Sequence, residues 1–121
     1  ESRDKIAKEL NKLIETVSYT DSINEKITAL NQLGRFYLPQ AIEMLKINSY
    51  SSDPQIRQVA IISLREIASN GYDKDGSIKD VITQAVYDED EQIASIAKNF
   101  VSVQNSLSLD IDIKPAGQVA D

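Results

Sequence analysis

The sequence predicts an all-α fold in which three antiparallel helix pairs stack on one another. Three observations lead to this prediction. Apolar residues recur every three to four positions along most of the chain, which is the period of an α-helix. Helix-start and helix-stop residues separate these apolar stripes. The pattern also repeats, since Tyr19, Tyr50 and Tyr87 lie 31 and 37 positions apart within matching surroundings.

The first half of the chain contains three predicted helices. The first two carry apolar stripes, and Asp21 is the expected N-cap of the second. Pro39 suits the first turn of the third, because a proline has no N–H that would need a partner there. The stripes of these helices are Ile6, Leu10, Leu13, Ile14 and Val17, then Ile23, Ile27, Leu30 and Leu33, then Ile42, Met44 and Leu45.

Three further helices are predicted in the second half. Asp53 followed by Pro54 is a strong start signal for the fourth, which Asn70-Gly71 ends. Ser77 is the expected cap of the fifth, and the run from Asp88 to Asp90 opens the sixth. Their apolar positions are Ile56, Val59, Ala60, Leu64 and Ile67, then Ile78, Val81, Ile82 and Ala85, then Ile93, Ile96, Ala97, Phe100 and Val101.

The repeat favours a stacked α-solenoid over a generic helical bundle. A shift of 37 places Tyr50 on Tyr87 and also matches two further polar residues, Asp53 with Asp90 and Gln55 with Gln92. Apolar residues could align by chance, whereas these polar matches are harder to obtain. The expected domain spans residues 1–104, with pairs at about 4–36, 39–70 and 77–104.

The segment DPQIRQVAIISLREIAS, residues 53–69, resembles the second helix of a HEAT repeat. The resemblance depends on seven residues: Asp53, Pro54, Ile56, Arg57, Ala60, Leu64 and Ile67. The third copy keeps Asp90, Ile93 and Ala97 but has neither the proline nor the arginine. The resemblance implies a right-handed stack whose second helices line a concave, protein-binding face. It brings no shared catalytic residue.

Composition excludes several classes of function. The 121 residues include 13 basic and 19 acidic side chains, for a net charge of −6, and such a chain is a poor general binder of polyanions. There is no cysteine and no histidine, which excludes zinc fingers, disulfides, thiol nucleophiles and imidazole bases. No nucleotide-binding or hydrolase motif is present. We therefore expect no enzyme, no cofactor and no metal site.

The expected function is protein binding or scaffolding through the helical surface. The candidate contacts are five polar residues of the second helices: Asn24, Asn31, Arg57, Gln58 and Arg65. For the two arginines, an ion pair with a neighbouring repeat is the alternative. A nucleic-acid-binding repeat, for which only Arg3, Lys5, Lys8 and Lys12 cluster, and an accessory domain of a larger enzyme or assembly remain alternative functions. The acidic run 88–91 suggests either a solvated helix start or a docking patch for a basic partner.

The segment NGYDKDGSIKD, residues 70–80, is similar to a calcium-binding loop. With Gly76 at the sixth position of such a loop, Asp73 and Asp75 occupy ligand positions. Gly71 and Ile82 then occupy the first and twelfth positions, where carboxylates are required. We therefore expect a connector between two repeats, with weak calcium binding at most.

Residues 105–121 form an expected extended or partly disordered tail. Leu107, Leu109, Ile111 and Ile113 alternate with polar residues, which is the period of a strand. The segment 106–114 could cover the last helix pair, pair with another chain in self-association, or begin a further domain. Since Glu1 is not a methionine, we interpret the chain as processed or as a fragment, which leaves the compartment open.

Overall fold

The structure is a computed structural model that describes the backbone of residues 2–120 and the side chains of residues 2–107. Within that part of the chain there are six α-helices and no strand, which confirms the all-α prediction. The helices are α1 (Ser2–Tyr19), α2 (Ile23–Leu33), α3 (Pro39–Asn48), α4 (Pro54–Ser69), α5 (Ser77–Ala85) and α6 (Glu91–Ala120). None of the described helices is long and apolar enough to cross a membrane.

The helix starts match the sequence prediction in α4 but not in α2 or α5. Asp53 accepts hydrogen bonds from the N–H groups of Gln55 (2.8 Å) and Ile56 (3.3 Å), as a helix cap does. In α2 the cap is Ser22 rather than Asp21, because the serine precedes the first helical residue and its Oγ accepts from the Glu25 N–H. The start of α5 is different again, since its N-cap residue Gly76 has no side chain with which to cap the helix.

Helix α4 lies at the centre of the fold. It contacts α2 and α6 as well as α3 and α5, so it is covered on several sides. Ile61 is only 1% exposed and Ile62 is half-buried, as expected for a helix with neighbours on several sides. In α6 the positions that correspond to Ile61 and Ile62 are occupied by Lys98 and Asn99, and both are exposed. The apolar core thus runs from α1 to α6 with its best-covered section in α4.

Helices α2 and α4 approach each other closely at Gly34. This glycine has ordinary helical backbone angles (φ −62°), so its conformation does not require glycine. A Cβ atom added there would lie 2.9 Å from both the Cβ and the Oγ of the buried Ser63. The missing side chain therefore allows the end of α2 to pack against the middle of α4.

The two connectors that join successive helix pairs contact each other. Tyr37 has a positive φ of 52°, and its ring lies against Tyr72 with the centroids 4.6 Å apart in an edge-to-face arrangement. The side-chain amide of Asn70 donates a 2.7 Å hydrogen bond to the Tyr37 hydroxyl. These contacts hold the connector between α4 and α5 against the connector between α2 and α3.

The strand predicted at 106–114 is not formed, and α6 continues through this segment to Ala120. No other strand lies within residues 2–120 to pair with it, and an unpaired strand would leave its backbone groups without partners. A helix satisfies those groups within its own segment, which explains the preference. Val103 and Leu107 on this part of α6 are exposed, and the alternating side chains from residue 108 onward lie outside the described side chains.

Candidate functional site

The three loops that join the helices within each pair have the same hydrogen-bonding pattern. The cap residues Ser22, Asp53 and Asp90 precede α2, α4 and α6. Each cap residue donates its own N–H to the side chain two positions earlier, which is Thr20, Ser51 or Asp88. The repeat detected in the sequence thus corresponds to a repeated loop geometry.

An exposed tyrosine stands at the same position in each of these three loops. Tyr19 is 80% exposed, Tyr50 is 62% exposed and Tyr87 is 87% exposed. Tyr19 is the last residue of α1, and Tyr50 and Tyr87 lie two residues beyond the ends of α3 and α5. Each tyrosine directly precedes the residue that accepts the loop hydrogen bond. The fold therefore presents aromatic side chains on the loop edge, although none of the three is needed to fill the core.

Arg57 connects the second loop to the third. Its guanidinium forms two hydrogen bonds to the Asp88 carboxylate, from Nε (2.9 Å) and Nη2 (3.0 Å). Its Nη1 also donates to the carbonyl oxygens of Ser51 (2.9 Å) and Ser52 (3.3 Å). The sequence alternatives for Arg57 were partner binding and an ion pair with a neighbouring repeat, and the structure shows this ion pair.

The ion pair is largely shielded from solvent. The side chains of Arg57 and Asp88 are 13% and 10% exposed. The hydrogen bond to Asp88 raises the pKa of Arg57, against the opposing effect of burial. Burial raises the pKa of Asp88, but the hydrogen bonds from Arg57 and from the Asp90 N–H outweigh it, so the pKa of Asp88 is lowered. Both groups are therefore charged in the folded protein at neutral pH.

The carboxylates of the calcium-like segment, Asp73 and Asp75, accept hydrogen bonds from backbone N–H groups at the start of α5. The two oxygens of Asp73 accept from the N–H groups of Ile78 (2.8 Å) and Lys79 (2.9 Å), so Asp73 performs the capping expected of Ser77. Asp75 accepts from the Ser77 N–H, and this hydrogen bond lowers the pKa of Asp75. In the described part of the chain, no three carboxylate side chains converge as metal ligands.

A concave surface lies between α1, the end of α2 and the start of α3, and we call it the N-terminal groove. Its volume is about 1120 Å³. It is lined by apolar side chains and four charged ones: Ile6, Leu10, Leu13, Phe36 and Leu38, with Arg3, Glu9, Lys12 and Arg35. Leu13, Phe36 and Leu38 are half-buried and Ile6 is 48% exposed, so a partner could still cover apolar area there.

The charges on this groove are opposite in sign to those of the whole protein. Arg3, Lys12 and Arg35 are exposed cations at the groove, and Glu9 is its one acidic residue. The protein as a whole carries a net charge of −6. Within residues 2–107 the only ion pair is that of Arg57 with Asp88, so these three cations are not committed to a carboxylate there.

The five predicted contact residues do not share one groove. Asn24 lies in a shallow groove between α1 and α2, whereas Arg57 lines a groove on the other side of α4, next to α5. Asn31 is exposed, and Gln58 and Arg65 are half-buried on α4. Their contact with a partner stays a prediction.

The sequence analysis missed two residues that complete the N-terminal groove. Phe36 and Leu38 belong to the connector between α2 and α3, outside the helical stripes. The run Phe36-Tyr37-Leu38 is a signal that could have identified them, because three successive apolar residues are unusual in a loop unless they pack or bind. Which helix they face depends on the tertiary structure.

Comparisons with known proteins add no assignment to this geometry. No protein-family model matches the chain, and no curated protein matches it in sequence. The functional interpretation therefore depends on the grooves, the loop edge and the charges described above.

Proposed function

We propose that the protein is a non-enzymatic protein-binding module built as a HEAT-like, right-handed α-solenoid of three helix pairs. Support comes from the helix contacts, in which α1 packs on α2, α3 on α4 and α5 on α6, while α2, α4 and α6 contact one another in succession. The three equivalent loops at Ser22, Asp53 and Asp90 also support a repeated unit. Such a stack presents long grooves between rigid helices.

The N-terminal groove is the proposed binding site, and an acidic amphipathic helix of a partner protein is the proposed occupant. The observation that carries this proposal is an apolar floor bordered by Arg3, Lys12 and Arg35 in a protein that is otherwise acidic. Burial of Ile6 and Phe36 by the partner would contribute affinity, and the cations would favour acidic partners over basic ones.

The dimensions of the groove suit a helix of the partner. Its lining on α1 extends from Arg3 to Thr16, which is a helix length of about 20 Å at 1.5 Å per residue. A helical partner places apolar residues at positions i, i+4 and i+7 on one face, and these can contact Ile6, Leu13 and Leu38 in turn. A nucleic acid could use the same three cations, but it would leave the apolar floor uncovered.

A peptide selection tests the proposed function. Peptides of about 15 residues, a length that spans the groove, would be displayed on phage and selected on the immobilised protein. We expect the enriched sequences to be acidic and to carry apolar residues at helical spacing. Their binding should fall at least tenfold, or about 1.4 kcal/mol, on the double variant Lys12→Glu/Arg35→Glu.

The matched control for this variant is Lys98→Glu together with Lys79→Glu, two exposed lysines outside the N-terminal groove. This control should retain the selected peptides. Recovery of no groove-dependent peptide, or equal loss in both double variants, would contradict the proposal. Enrichment of basic peptides would contradict it as well. Salt-sensitive binding of DNA or RNA that Lys12→Glu/Arg35→Glu abolishes would favour the nucleic-acid alternative.

A further inference from the structure

A second groove lies between the α3–α4 loop and the α5–α6 loop, and we call it the tyrosine groove. Tyr50 and Tyr87 line it, with Ile61, Val81 and Ala85 as apolar neighbours and Glu89 as an exposed acid. Its volume is about 400 Å³, so it has room for one or two side chains rather than a helix. None of these residues contributes to the N-terminal groove.

The two tyrosines are held in fixed loops. Arg57 binds the backbone of the α3–α4 loop at Ser51 and the side chain of Asp88 in the α5–α6 loop, so a single guanidinium sets the distance between the two loops. The rings themselves stay exposed, at 62% for Tyr50 and 87% for Tyr87. Because the loop backbones are already held, a partner would have to order only the two χ angles of each ring, which costs little conformational entropy.

The tyrosine groove carries a net negative charge, since its lining contains one cation, Arg57, and two acids, Asp88 and Glu89. Arg57 is its one cation, and two hydrogen bonds already pair that cation with Asp88. Glu89 has no comparable partner within the described side chains and is exposed. Glu91 lies two residues further along the same acidic run and is also exposed. A cation in this groove would therefore meet negative charge beside two aromatic faces.

We propose that the tyrosine groove binds a basic, extended peptide segment of a protein partner, with an arginine or lysine side chain placed between Tyr50 and Tyr87. The cation would contact the ring faces, an arrangement favourable for both amino-acid types and more frequent for arginine. Glu89 would neutralise its charge. The tyrosine groove is separate from the N-terminal groove and would select a basic segment, whereas the N-terminal groove would select an acidic one.

Fluorescence anisotropy with synthetic peptides tests this inference. The probe is a labelled peptide in which arginines are spaced by glycine and serine, and the same peptide with glutamate replacing arginine is the comparison. We expect the basic peptide to bind with a dissociation constant below about 1 mM at low salt and the acidic peptide to show no saturable binding. Tyr87→Ala and Tyr50→Ala should each weaken binding about three- to fivefold, because each ring supplies a cation–π contact.

Three variants separate a ring contact from general electrostatic attraction. Tyr87→Phe retains the aromatic face and should bind within about twofold of the parent, whereas Glu89→Gln should weaken binding about threefold. Tyr19→Ala is the matched control, since Tyr19 occupies the same loop position and is 80% exposed but does not line the groove. It should leave binding unchanged.

Several results would overturn the inference: no binding of the basic peptide at millimolar concentration, equal binding of the acidic peptide, or an equal loss in Tyr19→Ala and Tyr87→Ala. Because Tyr87 is almost fully exposed, its truncation should leave the thermal unfolding midpoint unchanged, and this midpoint is measured on every variant. Lys12→Glu/Arg35→Glu should retain the basic peptide, so failure of this inference is distinguishable from failure of the proposed function.

Discussion

Helices α1 and α4 are similar in length but differ greatly in how they are packed. Of the 16 residues of α4, seven are buried, whereas only Leu10 and Val17 are buried among the 18 residues of α1. Helix α4 is covered by neighbours on several sides, and α1 is covered along one stripe. The comparison teaches that α4 serves mainly stability, whereas α1 leaves apolar surface such as Ile6 exposed, which is the surface that the proposed function uses.

The largest expected effect comes from truncating a core residue of α4. Leu64 is completely buried, so Leu64→Ala should reduce the free energy of unfolding by about 3 kcal/mol. Leu13 of α1 is half-buried at the N-terminal groove, and Leu13→Ala should cost about 1 kcal/mol. Urea denaturation of both variants measures the difference. Equal losses would contradict the contrast between the two helices.

The ion pair of α4 should have the next largest effect. Asp88→Asn removes the charge that Arg57 binds and should lower the free energy of unfolding by about 2 kcal/mol at pH 7. The matched control is Glu89→Gln, which changes an exposed neighbouring acid and should cost under about 0.5 kcal/mol. Urea denaturation of the two variants at neutral pH provides the measurement.

The same ion pair predicts a pH dependence with a definite sign. The pKa of Asp88 is lowered in the folded protein, so its contribution is present above the unfolded value of about 3.9. The contribution is lost as pH falls through the folded pKa. The difference in stability between the parent and Asp88→Asn should therefore be constant near neutral pH and shrink below about pH 4. A difference that grew on acidification would contradict the account.

A side chain added at Gly34, where α2 approaches α4, should reduce stability by a smaller amount, and a second substitution at Ser63 should remove this loss. Gly34→Ala would place a Cβ 2.9 Å from Ser63 and should cost about 1 to 2 kcal/mol, despite the better helix propensity of alanine. In a Ser63→Gly background the obstacle is absent, so Gly34→Ala should be neutral or slightly stabilising. Thermal unfolding of the four proteins gives this cycle, and equal losses in both backgrounds would exclude the steric explanation.

The helix caps should give the smallest effects and sharpen the comparison between repeats. Asp53→Ala and Asp90→Ala should each cost about 1 kcal/mol, because each removes hydrogen bonds to two backbone N–H groups. Ser22→Ala should cost a similar amount in α2. Asp21→Ala is the control and should cost under about 0.5 kcal/mol, since Asp21 is not the cap. Chemical denaturation measures these differences in the free energy of unfolding. A larger destabilisation by Asp21→Ala than by Ser22→Ala would show that Asp21, the residue predicted from the sequence, is the cap.

Local sequence signals identified the helices and some of their starts. Asp53-Pro54 and Asp90 were predicted as helix starts from capping chemistry alone, and both form the expected bonds. Where two capping residues stand side by side, as Asp21 and Ser22 do, either side chain could cap the helix. The prediction of Asp21 was wrong, because it is Ser22 that accepts from the Glu25 N–H. The alternation in 106–114 predicted a strand, but the period of a segment does not reveal whether a partner strand exists.

The candidate site depends on contacts between residues far apart in the chain. Arg57 and Asp88 are 31 positions apart, and the repeat suggested a pairing across neighbouring repeats without naming the acid. The N-terminal groove needs Phe36 and Leu38 to lie against α1, which depends on the path of a connector. The five polar contacts on the second helices were predicted from their helical positions alone. Helical position does not reveal where the grooves of the folded protein lie, and Asn24 and Arg57 line different grooves.

Methyl NMR of a complex tests the central claim most directly. A peptide selected on the protein would be titrated into protein labelled at isoleucine and leucine methyl groups. Binding in the N-terminal groove predicts shifts at Ile6, Leu13 and Leu38, whereas Ile62, which lies on the same face of α4 as Gln58 and Arg65, should not move. Shifts at Ile62 with Ile6 and Leu13 unchanged would contradict the claim and place binding on the second helices.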